Sequence, residues 1–220
     1  MLKFEFMKES LHNYRKSYEK GALTLENLDA NPLQQFRKWF HEIDDSDSID
    51  EANAFSLSTI GEDGFPKTRV VLLKSYNENG FVFYTNYQSE KGRSLLMNNK
   101  VCCSFFWPAA ERQIIIKGTA EKLPAAVSDA YFASRPRGSQ LGAMVSNQSE
   151  VIKNRSVLEN QLKALEDKYE GKELERPSYW GGFLVRPISM EFWQGRPNRL
   201  HDRFRFLLED YDWKIERLAP

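Results

Sequence analysis

The apolar positions of this chain change period near residue 54. Ahead of that point Leu33, Phe36, Phe40 and Ile43 recur at three- and four-residue spacing, which lines them on one face of a helix. Asn31-Pro32 supplies its start, an N-cap side chain followed by a proline whose missing N–H costs nothing at the first helical position. Residues 8–20 read as a short polar helix stopped near Gly21, and residues 44–51 as an acidic loop. Beyond 54 the runs are short and rich in β-branched and aromatic residues, predicting strands at 54–60, 67–74 and 81–85. Gly61-Glu-Asp-Gly64 and Asn77-Glu-Asn-Gly80 separate these runs and read as hairpin turns. A short helix at 89–98 precedes strands at 101–107 and 112–123. Pro124 opens a helix through Ser134, and 152–169 reads as a longer amphipathic helix ended by Gly171. Runs at 180–186, 189–193, 199–208 and 213–218 predict a closing set of strands. With no repeat and no linker, the chain reads as one α+β domain over residues 1–220 whose sheet curls into a barrel. Strand order is not encoded in this pattern.

Charge narrows the partners. Lys plus Arg and Asp plus Glu number 31 each, so no global field favours nucleic acid or an acidic membrane surface, and an anion site must come from local clustering. The adjacent Cys102 and Cys103 cannot easily pair with each other, a usage that suits a reducing cytoplasm. No segment approaches the ~20 apolar residues of a membrane span. His12, His41 and His201 are scattered and no Cys-x-x-Cys occurs, so no metal site is expected. Glycine-rich phosphate loops and a hydrolase elbow are also absent, which makes a borrowed cofactor attractive.

Two basic clusters stand out. Gly195 to Arg205 holds four arginines and a histidine. If 199–206 is a strand, Arg199, His201, Arg203 and Arg205 share a face, and such stacked like charges call for an anion or acidic partner against them; a solvated strand edge is the alternative. Ser134-Arg-Pro-Arg-Gly-Ser139 offers two guanidinium groups and a hydroxyl beside a glycine, suited to a phosphate. Arginines at a helix C-terminus also cap carbonyls without any ligand, and taken alone this is the stronger reading there. Arg69-Val-Val-Leu-Leu-Lys74, Tyr84-Thr85 and Gln148-Ser149 say little in isolation.

Taken in order, these segments resemble the pyridoxamine 5′-phosphate oxidase family. The resemblance runs from about Tyr14 to Pro220 and is most specific at Arg69 to Lys74, Phe83-Tyr-Thr-Asn86, Ser134-Arg-Pro-Arg137 with Ser139-Gln140, Pro177 to Phe183, and Glu191-Phe-Trp-Gln-Gly195 with Arg199-Leu-His-Asp-Arg203. It implies an FMN-binding split β-barrel that forms a homodimer, with sites built from both subunits. The flavin contacts it implies are Arg69, Val70, Val71, Leu72, Leu73, Lys74, Tyr84, Thr85, Lys91, Gln113, Gln148, Ser149, Trp193 and Arg203. The substrate contacts are Lys74, Tyr131, Arg135, Ser139, Arg199, Leu200 and His201, with Arg15, Lys16, Ser17 and Tyr18 folding over the site from an N-terminal segment of residues 1–30. Arg199 and His201, holding the substrate ring, are the implied catalytic pair. The implied reaction oxidises pyridoxamine 5′-phosphate or pyridoxine 5′-phosphate with O2 to pyridoxal 5′-phosphate, releasing H2O2, and ammonia from the amine.

The chain departs from the family where a basic pair is usual: it carries Glu90-Lys91. Lys91 and not Glu90 is therefore the expected flavin contact. Two rival readings share parts of this pattern. A related split-barrel flavoprotein acting on another substrate would lack the phosphate cluster of Arg135, Ser139, Arg199 and His201. A non-catalytic carrier of FMN or pyridoxal phosphate would keep the anion contacts without an oxygen-accessible flavin.

Overall fold

The computed structural model describes residues 11–46 and 48–220. Helix α1 (Pro32–Asp44) begins where the sequence predicts, with Asn31 accepting from the Leu33 N–H at 2.8 Å. Its apolar face drives Phe36 edge-on against Tyr76, Phe81 and Phe105, with ring centroids about 5 Å apart. Trp39 meets Phe192 in the same way. Each such aromatic contributes roughly 1.5–3 kcal/mol of burial, so α1 is fixed over one end of the barrel as a plug.

The strands are β1 (Ala54–Ile60), β2 (Pro66–Leu72), β3 (Ser75–Asn77), β4 (Gly80–Asn86), β5 (Lys100–Trp107), β6 (Arg112–Lys122), β7 (Trp180–Gln194), β8 (Asp202–Glu209) and β9 (Asp212–Arg217). All pair antiparallel, in the order β2-β1-β5-β6-β7-β4-β3, with β8 added to β7 and β9 to β8. The two hairpin turns foreseen in the sequence join β1 to β2 and β3 to β4. The second hairpin uses the short β3, because the chain leaves β2 at Leu72 and crosses to the far edge of the sheet. There the Lys74 N–H donates to the Val82 carbonyl at 2.8 Å, which draws the two edges together and curls the sheet. The expected α+β split barrel is the architecture observed.

Its split arises in β7. The sequence suggests two strands, 180–186 and 189–193, but the chain runs through as one strand of 15 residues. Its first half pairs with β4 and its second half with β8, while β6 follows both halves. Pro187 lacks an N–H for the ladder, and the irregularity it forces is absorbed as a register shift between Lys117 and Gly118 on β6.

Helices α2 (Glu90–Met97), α3 (Ala125–Ser134), α4 (Arg137–Val145) and α5 (Ser156–Lys168) complete the described chain. Three expectations need correction. Residues 11–20 form no helix; the segment has no apolar face to bury, and its Glu19 and Lys20 N–H groups bond to the distant Glu111. The remainder of that expected helix, 8–10, lies outside the described residues. Helix α4 went unforeseen because Pro136 and Gly138 read as a loop, although proline suits the residue just before a helix. Finally, α5 starts at Ser156 rather than Ile152 and buries none of its residues.

A Cβ on Gly118 would stand 2.3 Å from the Arg186 carbonyl oxygen, backbone that cannot yield. Gly118→Ala is expected to cost about 1–3 kcal/mol, read as a lower urea midpoint. Gly138→Ala, with open space around its Cβ, is expected to leave the midpoint unchanged or higher.

Candidate functional site

A cleft of ≈ 840 Å³ opens where β2, β4, α2, α3 and α4 meet. From β2 and the crossing that follows come Arg69, Val70, Val71, Leu72 and Lys74, while Leu73 turns into the core. Arg69 is held by its own neighbourhood: one guanidinium nitrogen donates to Thr59 Oγ1 and the Lys67 carbonyl at 2.8 Å. Strand β4 contributes Tyr84 and Thr85, and α2 contributes Lys91. Ser89 caps α2 by accepting from the Gly92 N–H, which sets the buried Lys91 in the first turn. Its ammonium donates to Thr85 Oγ1 at 3.3 Å, and the Thr85 hydroxyl donates to Gln148 Oε1 at 3.1 Å. Ser149, at φ 78°, accepts from the Glu90 N–H and pins the loop beside the cleft without lining it.

The opposite wall is aromatic and basic. Tyr84 and Tyr131 stack at 3.9 Å, and Trp180 continues the stack at 5.4 Å from Tyr84. Arg135 lies over Trp180 with its guanidinium carbon 4.6 Å from the ring. Its Nη1 is buried and has no hydrogen-bond partner among the described residues. Ser139 stands on the first turn of α4 nearby, and Lys74 makes no ion pair among the described residues. Arg137 behaves differently: it donates to the Tyr169 and Lys172 carbonyls at the end of α5, the ligand-free capping role. The Ser134–Ser139 cluster thus divides, one arginine for the fold and one for the cleft.

The charge balance of the cleft is unusual. Burial first, and then the neighbouring Arg69 charge, push the Lys91 ammonium down to about 8 against the partial opposition of Glu90. Burial likewise lowers Arg69 and Arg135. Glu90 is the carboxylate that acts on Arg69 and Lys91, yet it pairs with Lys67. An anion entering the cleft would relieve the mutual repulsion and supply the acceptor that Arg135 lacks.

A second locus lies on β6, β7, β8 and the turn before β8. Gln113, Trp193 and Arg203 are directly paired across three strands and face outward. Trp193 packs against His201 at 4.6 Å, and Tyr18 from the N-terminal segment meets both rings at 5.7 Å. His201 Nδ1 accepts from the Arg196 N–H, which leaves the ring proton on Nε2. Burial and then Arg199 lower its pKa, with Asp202 opposing, so the neutral ring is favoured. Neither this locus nor Arg15, Lys16, Ser17 and Tyr18 lines the cleft of the same chain.

The strand-face reading of 199–206 is corrected here. Strand β8 begins at Asp202; Asn198 and Arg199 both have left-handed φ, at 55° and 63°, so Arg199 and the exposed Leu200 belong to a turn. Arg203 and Arg205 do share a face, and the acidic partners that relieve their repulsion are Glu191 and Glu216, at 2.8 and 2.6 Å. Trp180 and Asn86 of the cleft fall in segments specific to the resemblance but were not expected as site residues, and Ser146 and Glu111 were not singled out at all, because each acts through contacts distant in the chain. Among the described residues no three His, Cys, Asp or Glu side chains gather to hold a metal ion, and no helix is long and apolar enough to cross a membrane.

Because burial and then the Arg69 charge oppose the ammonium, Lys91→Met should raise the melting temperature of the ligand-free protein below pH 8, where the wild-type lysine is charged both folded and unfolded. A lowered folded pKa means that this penalty fades as pH rises from about 8 towards 10.5. The variant's advantage should therefore close across that window; an advantage independent of pH would contradict the assignment.

The whole chain can be compared with known proteins. Residues 44–169 match the family model described as pyridoxamine 5′-phosphate oxidase, and residues 180–220 that of the pyridoxine 5′-phosphate oxidase C-terminal dimerisation region. A pyridoxine/pyridoxamine 5′-phosphate oxidase of Flavobacterium psychrophilum is 59% identical, over 96% of this chain and 100% of its own. One from Gloeothece citriformis is 50% identical over 97% and 100%. Among solved structures, PhzG from Burkholderia lata, crystallised with tetrahydrophenazine-1-carboxylic acid, superposes with a TM-score of 0.85 at 28% identity, covering 93% of this chain and all of that one. An FMN-binding protein from Nostoc punctiforme shares the fold, with a TM-score of 0.68 at 14% identity over 88% of this chain and all of that one. Matched over nearly its full length by sequence and by fold, this chain belongs to the pyridoxamine 5′-phosphate oxidase family.

Proposed function

We propose that the chain is an FMN-dependent oxidase converting pyridoxamine 5′-phosphate or pyridoxine 5′-phosphate, with O2, into pyridoxal 5′-phosphate and H2O2, the last step in making the vitamin B6 cofactor. The observation that carries this reading is the buried Arg135 Nη1 without a partner, in a cleft whose other cations, Lys91 and Arg69, repel each other. Such a site is costly unless anions occupy it. The names borne by its full-length relatives supply the candidate anions.

The donor set suits two phosphates. Arg69, Lys91 and Thr85 form one group, matched to the flavin phosphate, with Gln148 able to reach a polar flavin edge through its amide. Lys74, Tyr131, Arg135 and Ser139 form the other, matched to the substrate phosphate. When bound, the flavin supplies the hydride acceptor and its reoxidation by O2. The protein's own part is to orient the substrate and keep water from the reacting carbon.

A homodimer completes the reading. Gln113, Trp193, Arg199, His201 and Arg203 are absent from the cleft of their own chain, and all but Gln113 lie in the segment matching the dimerisation region. On this reading they complete the cleft of a second copy, with the Nε2–H of His201 donating to the substrate ring. Residues 1–220 act as one domain and the N-terminal segment as its cover, of which residues 1–10 lie outside the described residues. A cytoplasmic location belongs to the same reading, since free Cys102 and Cys103 suit a reducing compartment.

Purified protein loaded with FMN should release H2O2 and form pyridoxal 5′-phosphate from pyridoxine 5′-phosphate. A yellow protein that binds the substrate without turnover would instead be a carrier. Arg135→Met should raise KM for the phosphorylated substrate by about 10- to 100-fold, the value of one or two charge-assisted hydrogen bonds. Flavin affinity should hold. Glu90→Arg should tighten FMN binding, since it removes a carboxylate beside Arg69 and Lys91; equal affinities in a flavin titration would show that Lys67 already masks Glu90.

A further inference from the structure

Glu111 occupies an awkward place for its chemistry. It ends the turn between β5 and β6 with a left-handed φ of 57°, a conformation that glycine would adopt more cheaply, and it is 2% exposed. Its side chain explains why glutamate is there. One carboxylate oxygen accepts the N–H groups of Glu19 and Lys20 at 2.8 and 2.9 Å, and the other pairs with Lys16 at 3.3 Å. Its backbone carbonyl meanwhile accepts the Gly195 N–H at 2.7 Å, tying the same residue to the end of β7.

Among the described residues, no other hydrogen bond or ion pair to the body of the protein fastens residues 16–19; the rest of their hold is the packing of Tyr18. Further contacts begin only at Lys20, whose ammonium donates to the Ala109 carbonyl, and continue with Arg196 to the Gly21 carbonyl and the Leu23 N–H to Asp202. Between the two carboxylate anchors sits Tyr18, against Trp193 and His201. Gly195 is shaped for it: a Cβ there would come within 2.9 Å of Tyr18 Cβ and Cγ.

We infer that Glu111 is a positioning residue, a buried carboxylate clasp that holds residues 16–20 so that Tyr18 stands against Trp193 and His201. It touches neither ring itself and acts through the segment it holds. The consequence for turnover rests on the function proposed above; the clasp itself does not.

Three variants test it in the full-length, FMN-loaded protein: Glu111→Gln, Tyr18→Ala and the two together. Trypsin cleavage after Arg15, Lys16 and Lys20 reads the clasp without reference to activity. Glu111→Gln should speed cleavage at these sites by about tenfold, the loss of roughly one charge-assisted hydrogen bond, while cleavage elsewhere is unchanged. In turnover, Glu111→Gln should raise KM for pyridoxine 5′-phosphate with little change in kcat, and the double variant should be no worse than Tyr18→Ala alone, because contacts made through one another do not add. Wild-type cleavage rates in Glu111→Gln, or additive losses in the double variant, would overturn the inference. Should Glu111→Gln fail to fold, Glu111→Asp, which keeps the charge but withdraws the oxygens by one methylene, carries the same test with the same outcomes. Absence of turnover in the wild type would sink the functional reading and leave the cleavage result to decide the clasp.

Discussion

Positive charge gathered out of water is the constraint on which the rest of this molecule turns. A guanidinium nitrogen with no acceptor among the described residues, and an ammonium whose pKa is pushed down to about 8 by burial and by a neighbouring arginine, both cost stability. The carboxylate that acts on the Lys91 ammonium, Glu90, is paired with Lys67. The chain has equal numbers of acidic and basic residues, so the imbalance is local and is created by the fold.

Strand β7 makes that imbalance possible. Because its two halves pair with different partners, one strand carries Trp180 to the cleft at one end and Trp193 to the outer locus at the other. Fifteen residues of strand separate these loci by tens of ångströms, at roughly 3.3 Å per residue. A single chain cannot fold that distance away, which is why, in the function proposed, the outer locus serves a neighbouring copy. The aromatic plug of α1 and the edge closure at Lys74 close the barrel, while the two ends of β7 carry the cleft and the outer locus.

Much of this was legible in the sequence, for physical reasons that also explain the misses. Strands β1, β4, β5 and β6 were visible because their burial favours short runs of β-branched and aromatic residues, with turn residues marking several of their ends. Helix α1 announced itself through its cap and its stripe. The segment before Gly21 resembled a helix only in its polarity, and its true partner, Glu111, lies some ninety positions away, beyond any local pattern. The two strands expected at 180–186 and 189–193 run through as one, because a register shift on the neighbouring strand absorbs the irregularity between them. The basic stripe after Gly195 was right in composition and wrong in geometry, since two left-handed residues remove Arg199 from the strand. Of the cleft, the resemblance picked out Arg69, Lys74, Lys91 and Arg135 by position, but their convergence on one cleft became visible only when β2, β4, α2 and α3 were brought together.

Whether the two loci meet across a dimer can be measured directly by subunit complementation. Arg135→Met weakens the cleft and Arg199→Met the outer locus, and at substrate well below the wild-type KM each homodimer should be nearly inactive. Unfolding and refolding the two together produces mixed dimers in which one of the two sites carries both substitutions and the other carries neither. Recovery of roughly a quarter of wild-type activity, the share expected if half the dimers are mixed and each has one intact site, is the result this account predicts. A mixture no more active than its parents would show that Arg135 and Arg199 serve the same chain or separate tasks.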